Sequence, residues 1–243
     1  MPDLTDRQLK ILKYIIDEYI ETAEPVGSVT LDKKHNLGVS PATLRNEMAE
    51  LTTKGFLRQP HTSAGRTPTP MALKFYVQNL MQTKNLSVTD EVSIKEHVWD
   101  YRTEFEKALR EATKELAIKT KSLAVASDNE GDTYYSGTAN ILDMPEFYDI
   151  DLTRSVLSLV DHFENINRIF ERAGGESDIH ILLGEDLGAN TLNSCGVIFT
   201  RFGEGKKHQG AIGIIGPCRF NYSQVIPTVR YVGDLMDEII NNW

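Results

Sequence analysis

Arg45 and Asn46 sit side by side in Ser40-Pro41-Ala42-Thr43-Leu44-Arg45-Asn46-Glu47-Met48, and together they could read DNA bases. Arginine can pair with the two acceptors on a guanine edge, asparagine can pair with adenine, and Thr43 can reach a phosphate or a thymine methyl. At 100° per residue, Leu44, Met48 and Leu51 share one helical face. The opposite face carries Ala42, Asn46, Ala49 and Thr53, flanked by Thr43, Arg45 and Glu50. Small side chains there let a helix backbone descend into a major groove. A second source of contacts follows in Gln59-Pro60-His61-Thr62-Ser63-Ala64-Gly65-Arg66, a loop without acidic residues. His61, Ser63 and Arg66 can approach a phosphate or slip a cation into a minor groove, a role favoured over the alternative that His61 simply caps the hairpin. Lys54 and Arg66 are expected to hold phosphates. The expected DNA-binding set is therefore Ser40, Thr43, Arg45, Asn46, Lys54, His61, Ser63 and Arg66.

These side chains need a scaffold, and the local signals describe one. Thr5 is an N-cap with Gln8 three residues on, the pattern of a capping box, and Leu9, Leu12, Ile16, Tyr19 and Ala23 recur at helical spacing. Pro25 stops that helix. Ser28 starts a short second helix to about His35, Asn36-Leu37-Gly38-Val39 supplies a tight turn, and Ser40 with Pro41 opens the third helix. Two short helices joined by a glycine-containing turn make a helix-turn-helix. Phe56-Leu57-Arg58 and Arg66-Thr67-Pro68 read as the two strands of a wing. Beyond them, Pro70 to Lys84 reads as a helix with Leu73, Val77, Leu80 and Met81 on one face. A linker and then one long charged helix, roughly Val92 to Ser122, follow; Phe105, Leu109, Ala112 and Leu116 form its apolar stripe. Ile179–Leu183, Gly196–Phe202 and Ala211–Ile215 read as strands, and Val225 to Ile240 as a closing helix.

Composition explains how such a chain could meet DNA. The 243 residues suggest two domains, and the formal charge of -9 is unevenly spread. Residues 26 to 85 hold eight Lys/Arg against three Asp/Glu, a local +5, which leaves -14 for the remainder. A basic module on an acidic body directs an anionic partner to one surface. Cys195 and Cys218 have no CxxC spacing, and no apolar run approaches the ~20 residues that span a bilayer, so a reducing, cytoplasmic setting is expected. His162, His180 and His208 lack metal-ligand spacing, and Gly213-Ile214-Ile215-Gly216 reads as close strand packing rather than a phosphate cradle. No catalytic constellation, metal site or cofactor motif stands out.

A resemblance makes this reading specific. Leu4-Thr5-Asp6-Arg7-Gln8-Leu9, Tyr19-Ile20-Glu21-Thr22-Ala23-Glu24-Pro25-Val26-Gly27-Ser28, the run Gly38 to Leu51 and the run Gln59 to Thr69 closely resemble the heat-inducible transcription repressor HrcA family. Tyr135-Ser136-Gly137-Thr138-Ala139-Asn140-Ile141-Leu142, Leu183-Gly184-Glu185 and Gly213 to Pro217 resemble that family's C-terminal GAF-like domain. The resemblance implies an α+β protein, with an N-terminal winged helix-turn-helix domain (1–85), a connecting segment (86–104) and a GAF-like α/β domain with an antiparallel sheet (105–243). It further implies a dimeric bacterial repressor that binds an inverted-repeat operator, called CIRCE, ahead of chaperone operons and releases it on heat stress. The GroE chaperonin is an implied partner.

One departure from the family stands out. Relatives insert a dimerising domain between the first GAF-like helix, whose counterpart here is read as Leu116 to Ala126, and the strand leading into Gly137-Thr138-Ala139-Asn140. Here only the polar turn Ser127 to Thr133 intervenes. With the insertion missing, Phe105, Leu109, Ala112 and Leu116 are assigned to dimerisation, with the GAF-like sheet as the alternative surface. Two other readings stay open: a repressor whose GAF-like domain binds a metabolite, and a chaperone-associated module that docks protein or RNA.

Overall fold

Capping and turn chemistry set the first elements of the structure, a computed structural model that describes residues 4–242 apart from Asn36, Thr83 and Glu176. The Asn36 position of the expected turn thus lies outside the described residues. Helix α1 (Asp6–Thr22) starts at the expected capping box: Thr5 Oγ1 accepts from the Gln8 amide at 3.2 Å, and the Thr5 amide donates back to Gln8 Oε1 at 3.3 Å. It ends one turn before Pro25, where Ala23 adopts a left-handed conformation with φ 62°. Ile11, Leu12, Ile15 and Ile16 form its buried face. Helices α2 (Ser28–His35) and α3 (Pro41–Thr53) follow, and Ser40 caps α3 by accepting from the Thr43 amide at 3.2 Å, a contact of about 1 kcal/mol. Leu31, Leu44, Met48 and Leu51 close the core against α1. Strands β1 (Leu57–Arg58) and β2 (Thr67–Pro68) pair antiparallel as the wing. Helix α4 (Pro70–Phe75) then runs into a π turn over Tyr76–Leu80 and stops short of the expected Lys84. The Tyr76 hydroxyl donates to Asp17 Oδ1 at 2.8 Å and ties this segment to α1.

The chain divides into two compact units, 1–82 and 83–243. In the second, α5 (Val88–Trp99) and α6 (Phe105–Thr120) lead into β3 (Leu123–Asp128) and β4 (Thr133–Ser136). After two short 3₁₀ turns come α7 (Ile150–Val160), α8 (Phe163–Arg172), β5 (His180–Leu183), β6 (Cys195–Phe202), β7 (Gly210–Pro217) and α9 (Tyr222–Asn241). The five strands form one sheet in the order β4-β3-β7-β6-β5, every neighbour antiparallel. Side chains alternate across it. Leu123, Val125, Val197, Phe199 and Ile215 join Val156, Val160, Ile166 and Phe170 of α7 and α8 in one cluster. Helices α6 and α9 pack on the same sheet, and α5 packs on both of them. Gly196 and Gly216 are direct partners across β6 and β7, and a Cβ on either would stand 2.8 Å from the ring of Phe220. The glycines of this strand region thus make room for an aromatic ring.

Two expectations about this unit need correction. The single helix from Val92 to Ser122 is two helices broken at 100–104, and the segment expected to be linker holds α5, which packs into the second unit. Leu116 to Ala126 is not one helix either. It turns at Lys121, whose φ is 49°, and continues as β3, held on both sides by β4 and β7. Where relatives are expected to carry an insertion, the chain makes a tight β3–β4 hairpin, in which Asp128 Oδ1 accepts from the amides of Glu130, Gly131 and Asp132.

Candidate nucleic-acid interface

Helix α3 turns its acids away from the face expected to read DNA. Glu47 takes hydrogen bonds from Arg7 Nη1 at 3.3 Å and Gln8 Nε2 at 3.1 Å, and Glu50 takes one from Gln8 Nε2 at 2.8 Å. The buried Gln8 of α1 therefore draws both carboxylates to the α1–α3 seam. Ala42, Arg45, Asn46, Ala49 and Thr53 stay exposed on the remaining surface. Arg45 and Asn46 have no hydrogen-bond or ion-pair partner among the described residues, so their donors remain available to a ligand. Thr43 is turned toward the cap, with its Oγ1 3.0 Å from Ser40 Oγ.

Lys54 belongs to the seam. It lies nine residues beyond Arg45, about 180° around the helix, and its Nζ donates to Gln8 Oε1 at 3.0 Å. The structure does not bring it together with the other expected cations.

The wing loop is braced from within. Gln59 Nε2 donates to the carbonyls of Thr62 at 3.0 Å and Ala64 at 2.9 Å, and the Ala64 amide reaches the His61 carbonyl at 2.9 Å. His61 lies at the exposed tip, Nδ1 3.2 Å from Ser63 Oγ. Arg66 is half-buried: its Nε donates to Thr52 Oγ1 of α3 at 3.1 Å. Its backbone exchanges two 2.9 Å hydrogen bonds with Val26, just ahead of α2. That bridge requires Gly65, because a Cβ there would collide with the Val26 carbonyl. One cleft of about 460 Å³ results, lined by Ser28 and Val29 of α2, Arg45 and Met48 of α3, and Gln59, Ser63 and Arg66 of the wing. No carboxylate lines it. Gln59 and the Val26–Arg66 bridge shape the candidate site and were missed by sequence reasoning; the polar, acid-free loop composition was the signal for them.

The expected dimerisation stripe lies elsewhere and is covered. Leu109, Ala112 and Leu116 are fully buried and Phe105 is 6 % exposed, because α6 packs on α5, α9, β3, β4 and β7. The stripe is core of the second unit and supplies no subunit seam. The alternative surface, the faces of the sheet, is likewise covered by helices. Large apolar side chains that this unit leaves exposed include Leu142, Tyr148 and Ile150.

A three-helix bundle with a two-stranded wing, its cleft free of carboxylates, is a winged helix-turn-helix, a fold found in many DNA-binding transcription regulators. Residues 72–226 match the family model described as HrcA protein C terminal domain, and the chain belongs to the HrcA family of transcription repressors. Similar relatives include the heat-inducible transcription repressor HrcA of Moorella thermoacetica, 26 % identical over 338 aligned positions that cover 98 % of each chain. The protein of the same name from Acetivibrio thermocellus is 28 % identical over 336 positions, 97 % of this chain and 96 % of the relative. Because this chain has 243 residues, the surplus positions are residues that those relatives have and it lacks. A crystal structure of a hypothetical protein at 2.2 Å resolution shares the fold over 99 % of both chains, with a TM-score of 0.78 at 20 % identity. Among the described residues, no helix is long and apolar enough to cross a membrane.

Proposed function

We propose that this chain represses chaperone operons from within the cytoplasm, at the nucleoid, by gripping an inverted-repeat operator of the CIRCE type and releasing it on heat stress. The observation that carries this reading is the α3 surface: Arg45 and Asn46 are exposed without protein partners, while Glu47 and Glu50 are drawn aside by Arg7 and Gln8. In this role Arg45 and Asn46 read base edges and Ser40 and Thr43 set the helix start against the backbone. Arg66, Ser63 and His61 hold the flanking strand. The protein works by binding and carries out no reaction. An inverted repeat calls for two readers about a two-fold axis, so it acts as a homodimer, and tethering the second reader raises avidity by ~100-fold or more without new base contacts.

Heat sensing is assigned to the acidic body. Its sheet pairs residues 123–128 with 210–215, so distant parts of the chain must meet before the core closes. Such topologies fold slowly and expose aggregation-prone surface on the way, which makes the GroE chaperonin a fitting partner. The test is fluorescence anisotropy of the full chain on an inverted-repeat duplex and on its scrambled form, with and without chaperonin. Preference for the repeat, with a larger DNA-active fraction when chaperonin is present, supports the proposal. Equal binding to both duplexes contradicts it.

A further inference from the structure

The start of α2 is capped without a side chain. The Leu31 amide donates to the Gly27 carbonyl at 3.0 Å, which makes Gly27 the cap and places Ser28, Val29 and Thr30 in the first turn. Serine, threonine, aspartate or asparagine at the cap would return a side-chain oxygen to these amides, but glycine has none. Among the described residues no acceptor receives the amides of Ser28, Val29 or Thr30. Ser28 is 8 % exposed, lines the cleft, and its hydroxyl has no hydrogen-bond partner among the described residues. The hydroxyl of this largely buried residue keeps some accessible surface, so a partner from outside the chain can reach it through the cleft.

The opposite wall has the complementary deficit. Arg66 spends only its Nε, on Thr52, and its two terminal nitrogens have no partner among the described residues. Arg45 stands unpaired on the α3 side, and the Ser63 hydroxyl borders the same space. Helix dipole, guanidinium and hydroxyl donors all converge where no carboxylate balances them, so the missing occupant is an anion. A phosphodiester, with one negative charge and two free oxygens, matches a helix start carrying about half a unit charge plus one arginine. Its source is also indicated, because Arg45 joins the cleft to the exposed face of α3 that carries Asn46.

We propose that this cleft seats one backbone phosphate of the bound DNA, received by the first-turn amides of α2 and by Ser28 Oγ and braced by Arg66. The seat rests on the repressor reading above. It adds Ser28 and the α2 start to the interface, and it fixes how α3 is registered in the groove, since a phosphate held here pins the helix beside it.

The test compares full-length wild type, Ser28→Asp and Ser28→Ala on operator and random duplexes across a salt series. A carboxylate in the first turn of a helix favours folding, so Ser28→Asp should melt no lower than wild type. It should nevertheless lose at least about tenfold in affinity for both duplexes, with the salt slope flattened by about one unit. Ser28→Ala, the gentler change, should lose about three- to tenfold. If wild type binds DNA and both folded variants match it in affinity and slope, the seat is overturned and the repressor reading stands. If wild type binds neither duplex, the repressor reading fails and the seat falls with it. A further arm titrates inorganic phosphate into the same proteins. Tight uptake by wild type, abolished in Ser28→Asp while duplex binding is unchanged, would make the cleft a free-anion pocket and overturn the assignment to DNA.

Discussion

Particular arginines are used differently in the two units. In the second unit two arginines are consumed internally: Arg201 binds His180 Nε2 at 3.1 Å and the carbonyls of Phe170 and Ala173 at 3.0 and 2.9 Å, and Arg219 clasps Glu146 at 2.6 Å. In the first unit Arg45 is unpaired and Arg66 half-used, while the acids of α3 are turned to the seam. These two arginines of the second unit are tied down within it, whereas Arg45 and most of Arg66 in the first are left open. Arginines tied down in this way hold a core together, and on the proposed repressor reading the open ones are those left to meet an anion.

Substitutions can break or sharpen that contrast. The largest effect is expected in the body. Leu109→Asp puts a carboxylate into a fully buried site, at a cost above about 5 kcal/mol, comparable with the whole stability of a domain. Thermal melts and gel filtration should show loss of the folded second unit. A well-folded monomer would instead restore α6 as a subunit seam. Next comes Gly65→Ala, whose new methyl group meets the Val26 carbonyl and should cost about 1–3 kcal/mol by prising the wing from α2. Binding to every DNA sequence should weaken; unaltered binding would mean that the wing geometry is irrelevant to recognition.

Smaller and more selective effects belong to the reading face. Asn46→Ala or Arg45→Ala should reduce discrimination between operator and scrambled DNA by ~1–3 kcal/mol for a true base contact. Arg66→Ala should weaken both and flatten the salt slope by about one unit. Equal losses on both duplexes for all three variants would erase the division between base readers and phosphate holders.

Acid separates the two units by the gentlest means. Burial in the second unit, with the Arg201 charge beside it, holds His180 below its ordinary value of 6.5, against a smaller opposing pull from Glu204. The unfolded chain then binds a proton that the folded body refuses. That contribution to stability is whole above pH 6.5 and fades as pH falls toward the lowered folded value. In the first unit, the Lys34 hydrogen bond lowers Glu18 from 4.5, so its contribution persists until pH falls below that value. Between pH 7 and 5 the body should therefore lose stability before the reader does, and His180→Gln should flatten the body's slope. An unchanged slope in that variant would remove His180 from the account.

How far the sequence foretold this structure depends on the range of the interactions involved. Local chemistry was legible: Thr5 with Gln8, Ser40 with Pro41, and the Phe56–Arg58 and Arg66–Pro68 strands all follow from neighbours a few residues apart. The stripe of Phe105, Leu109, Ala112 and Leu116 was legible as a helix face, but what covers it comes from α9 and β7, some hundred residues on. Leu123–Asp128 misled for a related reason. A short apolar run carries no period of its own, and its strand identity comes from pairing with Gly210–Ile215. The cleft was hidden most completely, because it depends on Val26 meeting Arg66 and on which nitrogens are left unpaired once Thr52 and Gln8 have made their bonds.

The central claim is that the first unit recognises a particular DNA sequence through α3. The direct measurement is anisotropy of full-length wild type and Asn46→Ala on an inverted-repeat duplex and on its scrambled counterpart at one fixed salt concentration. The account predicts that wild type prefers the repeat and that Asn46→Ala loses most of this preference while keeping its affinity for scrambled DNA. Indistinguishable binding of wild type to the two duplexes would contradict it.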